Sequence, residues 1–406
     1  MSKPIYLIIA IFILGVIVTL AFVGVSKDTE DPKPPTPEEF KADQASLASL
    51  GSDFGLISEF LTEMSNNKGA LYAYDLLRFT RLGPNLDLHL LGHVVGDELY
   101  KQKGLDGMAH CTNDFRNACS HSIVVGALLE NGLEVFDTVN DVCRQSPGGS
   151  GAYTMCFHGF GHGVLAYTEY NMEKMVELCL LTGTNEYGQN EAHQCIGGAV
   201  MEMKDGIHDK ELWAPQKNKF VDAENPLSLC RADYMPPGAK HFCYVYITPY
   251  LFDAIGGHGT RPTPDIFADS MKLCEVETEE RYRRVCYAGF GKEYITLAKD
   301  LNIQAMNDLN SDEITKVDSW CNLAPHDYGA LECKLEVVNS LYWGGENDFR
   351  APVKYCSEIS AKDRDPCFDR LYTNILSYRH TPELKQEICA TVPPLLQSGC
   401  RAKLLP

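Results

Sequence analysis

The chain has 406 residues, 45% hydrophobic and 22% charged, which is enough for two or three ordinary domains or for one elongated array. Its formal charge of −19, with no cluster of lysine and arginine, argues against nucleic-acid binding, because such a surface needs a basic stripe to replace phosphate counterions. No nucleic-acid partner is expected.

Ile5 to Val25 are 21 residues without a charge, long enough as a helix to cross a bilayer. Lys3 lies ahead of them and the net acidic "KDTEDPKPPTPEE" behind, which places the N-terminus in the cytoplasm. The best candidate for signal cleavage, Ala21-Phe22-Val23, is poor, so an uncleaved anchor is favoured over a removed signal peptide. The expected organisation is an anchor over 1–26, a proline-rich acidic linker over 27–39, and an extracellular or periplasmic domain over 40–406.

Sixteen cysteines follow, all beyond the anchor. Taken consecutively in twos they enclose 7, 12, 15, 12, 11, 11, 10 and 10 residues. An even count on an oxidising side of a membrane predicts eight local disulfides: 111–119, 143–156, 179–195, 230–243, 274–286, 321–333, 356–367 and 389–400. Zinc knuckles would need C-x-x-C spacing, which is absent.

An apolar helical stretch ends at the first cysteine of a pair, as in "NMEKMVELC", a polar loop follows, and the second cysteine opens another helix, as in "CIGGAVMEM". Each unit therefore reads as a helical hairpin with a disulfide across its turn. A cysteine-free stretch from Gly69 to Gly104 has the same shape and brings the total to about nine. First cysteines recur every 32 to 51 residues, in the range of stacked helix-turn-helix arrays, whose units bury a core only against their neighbours. With "LGHVVGDELYKQKG" (Leu91 to Gly104) included, residues 68–406 resemble the disulfide-stapled Sel1-like and tetratricopeptide-like helical-hairpin repeat proteins. The expected fold is an all-α array of these hairpins: an open α-solenoid, as the resemblance implies, or an unrelated array curved into a closed α/α toroid.

Aligning the units on the second cysteine puts His121 and His158 at position +2 and His162 at +6. Matching "LHLLGHVVG" to "FHGFGHGVL" puts His89 at +2 and His93 at +6 of the first unit. These positions share one helix face, one turn apart, and stacking brings equivalent faces together. Glu169, about 20° in helical phase from His158, is expected to join them. The set His89, His93, His121, His158, His162 and Glu169 is the candidate site for a transition-metal ion, Zn, Cu or Fe, since neutral imidazole is the commonest ligand for such ions. Later units break the pattern, with Gly197 and Met201, Val245 and Pro249, and Ala288 and Lys292 at +2 and +6.

The competing structural account is that buried histidines are packing residues and that Gly159, Gly161, Gly163, Gly197, Gly198, Gly289 and Gly291 let helices approach closely. His208, His241, His258, His326 and His380 share no register. No phosphate loop, nucleophile elbow, His-Glu-x-x-His or EF-hand motif is present. Two functions are expected. The first is a membrane-anchored extracytoplasmic metal protein, redox or hydrolytic. The second is a non-catalytic scaffold that binds a peptide, an envelope protein or a glycan on a concave face.

Overall fold

The segment Thr36 to Glu39 is a helix start rather than the end of a linker. The Thr36 hydroxyl accepts from the Glu39 amide at 3.2 Å, and the Glu39 carboxylate accepts from the Thr36 amide at 2.7 Å, which satisfies two helix-end donors reciprocally. Pro37, at the first helical position, loses no bond it could have made. Helix α1 therefore spans Pro37–Ser49, and the expected linker boundary moves back from residue 39 to Thr36. The computed structural model describes residues 36–405, except 84–85, 185–189, 207, 209, 218, 258–261, 300–306 and 345–346. The expected anchor and linker residues 27–35 lie outside the described residues.

After α2 (Phe54–Lys68) come α3 (Ala70–Phe79) and α4 (Leu88–Lys103), the hairpin without cysteines. The stapled units then supply α5 (Ala118–Asn131), α6 (Val139–Arg144), α7 (Ser150–Tyr167), α8 (Met172–Cys179) and α9 (Glu191–Asp205). They continue through α10 (Lys210–Trp213), α11 (Ser228–Arg231), α12 (Lys240–Tyr246), α13 (Thr248–Phe252), α14 (Pro264–Lys272), α15 (Glu280–Ala298), α16 (Ser311–Cys321) and α17 (Asp327–Gly344). The last are α18 (Arg350–Glu358), α19 (Arg364–Ser377), α20 (Pro382–Thr391) and α21 (Gln397–Leu404). Among the described residues there is no strand, and no helix is long and apolar enough to cross a membrane.

All eight disulfides join the cysteines that spacing predicts. In the loop-entropy picture each contributes on the order of 3 kcal/mol. Two hairpins depart from the expected shape. The second has only a 3-10 segment, Gly104–His110, before Cys111. In the fifth, α11 is four residues long, and α12 stops at Tyr246 because Pro249 has no amide to continue the ladder.

The second helix of each hairpin packs on the second helices before and after it, in the order α4, α5, α7, α9, α12, α15, α17, α19. Fifteen of the eighteen residues of α7 are buried, as expected of a helix apolar on all sides. Glycine sets the spacing of α7 and α9: a Cβ on Gly161 would lie 1.8 Å from the Cys195 carbonyl, and one on Gly198 would lie 1.7 Å from the His158 carbonyl. The backbones are in contact there, so the structure bears out the packing role expected for these glycines. The array also bends back on itself. The Arg379 amide donates to the Gly148 carbonyl at 3.0 Å, and the Ser150 hydroxyl donates to the Ser377 carbonyl at 3.0 Å, joining the end of α19 to the start of α7.

Candidate metal centre

Asp87 caps α4 by accepting from the amides of His89 and Leu90, which fixes where the helix begins. His89 and His93, one turn apart, then face inward. α5 brings His121 beside them, and α7 brings His158 and His162. All five are at most 6% exposed. The ring centroid of His121 lies 5.7 Å from that of His89, 5.9 Å from His93, 5.8 Å from His158 and 5.9 Å from His162. The expected register is thus realised in space, with His121 at its middle.

Glu169 does not join them. α7 ends at Tyr167, Glu169 turns into the left-handed region with φ 53°, and its side chain is exposed, so helical phase no longer governs it. The carboxylate at the centre is Glu202, on α9 and fully buried. A sixth ring arrives without register. Gly206, with φ 58°, ends α9 and turns the chain so that His208 folds back over the last turn. The His208 amide donates to Glu202 Oε1 at 3.0 Å and its ring Nδ1 donates to Oε2 at 2.9 Å. His208 lies 5.2 Å from His93 and 5.5 Å from His162 between ring centroids.

Hydrogen bonds decide the tautomers. His89 Nδ1 lies 2.7 Å from the Phe115 carbonyl, which can only accept, so Nδ1 carries the proton and Nε2 the lone pair. The Ser122 hydroxyl donates to the His93 carbonyl, so its oxygen accepts from His93 Nδ1 at 3.1 Å. His93 Nε2 therefore also bears a lone pair. It sits 3.3 Å from His89 Nε2.

The electrostatics keep these rings neutral. Burial pushes His89, His93, His121 and His158 well below the ordinary imidazole range, and neighbouring charged groups push the same way, Arg116 on His89 and Lys292 on His158. Burial alone would raise Glu202, but the hydrogen bonds from His162 and His208 outweigh it and hold the carboxylate ionised. One turn beyond His93, desolvation raises the Asp97 carboxyl, while a hydrogen bond with the Ser122 hydroxyl and then the nearby His208 oppose the shift.

Two groups among the described residues have donor atoms within 4.8 Å of one another: His89, His93 and His121, and His162, Glu202 and His208. Helical phase counted from the second cysteine accounts for the first group and for His162 of the second. Glu202 and His208 escaped it, because a loop delivers His208; the available signal was Glu202 four residues before a helix-ending glycine with a histidine two beyond. Compared with known protein families, characterised proteins and solved structures, the chain matches none of them.

Proposed function

We propose that this is a membrane-tethered, extracytoplasmic α-hairpin array, closed into a toroid, that binds a transition-metal ion through His89, His93 and His121. The observation that carries it is the 3.3 Å approach of His89 Nε2 and His93 Nε2. Both Nδ1 atoms donate to oxygens, so two lone pairs face each other in a buried site. A cation between them turns repulsion into attraction. Metal–nitrogen bonds of 2.0–2.1 Å in a tetrahedron put neighbouring donors about 3.3–3.4 Å apart, and the side chains already stand at that edge length.

An all-imidazole set suits Zn, Cu or Fe. Three protein ligands leave a position for water or a small ligand, the arrangement that supports Lewis-acid or redox chemistry. Eight disulfides support an oxidising compartment, and the uncharged span of Ile5 to Val25 supports the tether. The bond between Arg379 and Gly148 supports closure.

The test is elemental analysis of the full-length chain, folded with its disulfides, held in detergent, exposed separately to Zn(II), Cu(II) and Fe(II), and then washed with a weak chelator. At least one ion per chain is expected with one of them. His89→Ala combined with His93→Ala should abolish retention of that ion while circular dichroism is unchanged. A wild-type chain that keeps no ion in any condition sinks the proposal.

A further inference from the structure

We infer that the cavity holds a second transition-metal ion, on the Nε2 atoms of His162 and His208, and that the two ions share the imidazole of His121. This rests on the metal-binding reading above.

The first support is the saturation of Glu202. Its Oε2 accepts from His162 Nδ1 at 3.0 Å and from His208 Nδ1 at 2.9 Å. Its Oε1 accepts from the Tyr170 hydroxyl at 3.0 Å and from the His208 amide at 3.0 Å. A carboxylate offers about four lone-pair sites, and all are taken. Glu202 is therefore a positioning residue and not a ligand. By accepting both Nδ1 protons it fixes both tautomers and leaves the Nε2 lone pairs on the far side of each ring, the role a carboxylate plays behind metal-bound histidine.

Both rings neighbour the first group: His208 lies 5.2 Å from His93 and His162 lies 5.9 Å from His121 between centroids. Buried there, His208 Nε2 has no hydrogen-bond partner.

The second support is His121 itself. It is 2% exposed, and neither ring nitrogen has a hydrogen-bond partner. A neutral imidazole must carry one N–H, and leaving that donor and the opposite acceptor buried and unpaired is unfavourable. The ring is bracketed in sequence by α4 and α7, whose His89, His93, His158 and His162 all lie 5.7–5.9 Å from it between centroids. An ion on each nitrogen satisfies both at once. When the second ion binds, a metal–nitrogen bond forms, the N–H bond of His121 breaks, and the proton leaves to the buffer.

The full-length, disulfide-bonded chain loaded with Cu(II) is the test, read by elemental analysis and electron paramagnetic resonance. Two ions per chain are expected, with an integrated signal far below two spins, because a shared imidazolate couples the pair magnetically. His208→Ala and, separately, Glu202→Gln should each lower the content from two ions to one and restore a full one-spin signal. In Glu202→Gln the amide N–H meets a histidine N–H and one ring must turn. One ion in the wild type, or two ions with two uncoupled spins, overturns the inference and leaves the metal-binding proposal standing. No copper retained overturns the inference, and the metal-binding proposal falls with it only if Zn(II) and Fe(II) are not retained either.

Discussion

A Cβ placed on Gly159 would fall 2.3 Å from the His121 ring and 2.6 Å from its Cα, so the glycine of α7 is what lets the central histidine of α5 sit where it does. A methyl there cannot be absorbed by turning a side chain, because the obstacle includes backbone. Gly159→Ala should force α5 and α7 apart, destabilise the fold by about 1–3 kcal/mol, and weaken metal binding at least tenfold. Metal titration beside urea unfolding checks this. Affinity within twofold of wild type would show that His121 does not depend on this contact.

Phe115, Arg116 and Asn117 all have positive φ, from 53° to 63°, an unusual run for residues other than glycine. Each costs roughly 1–2 kcal/mol, and the turn they form presents the Phe115 carbonyl to His89. The Cys111–Cys119 bridge closes around this turn. Replacing that pair with serine should loosen His89 and lower metal retention well beyond its effect on helix content. The same change at Cys389 and Cys400, in the last hairpin, should cost about 2–4 kcal/mol of stability and leave the metal bound. Equal metal loss in the two variants would refute the link between the turn and the centre.

Burial raises the carboxyl of Glu336, on α17, to about 7, against the opposing effects of the Asn339 hydrogen bond and of Arg370 and Lys292. A raised carboxyl means that folding favours the neutral form. Its contribution is fully present below the unfolded value of 4.5 and is lost as pH rises through about 7. Glu336→Gln should match wild type near pH 4.5 and exceed it above pH 8, by an amount bounded at about 3 kcal/mol from about 1.4 kcal/mol per pH unit. Melting temperatures across that range test it, and a parallel pair of curves would show that Glu336 does not titrate on unfolding.

The proposed N-in, C-out tether requires that protease added to intact cells remove an epitope at the C-terminus and spare one at residue 1. A protected C-terminus would contradict the orientation.

The stapled hairpins were legible because each bond closes over 8 to 16 positions, so spacing along the chain is spacing in space. The histidine wall was legible for a related reason: equivalent positions on packed neighbouring helices share a face. Glu169 shows where that logic stops, since helical phase means nothing two residues past a helix end. His208 reaches the centre through one left-handed glycine, and the bond from His89 to Phe115 depends on a turn whose residues carry little propensity for it. Those are tertiary decisions, set by what surrounds the segment.

Sixteen cysteines can be joined in about two million ways. Here every cysteine is bonded to its immediate successor or predecessor in the cysteine order. A chain threaded outward from its N-terminal end exposes each first thiol and then, within 16 residues, its proper mate, before any competitor has crossed. An oxidase that joins thiols in order of appearance would therefore write the native set directly, closing one hairpin after another and leaving only their stacking to be completed.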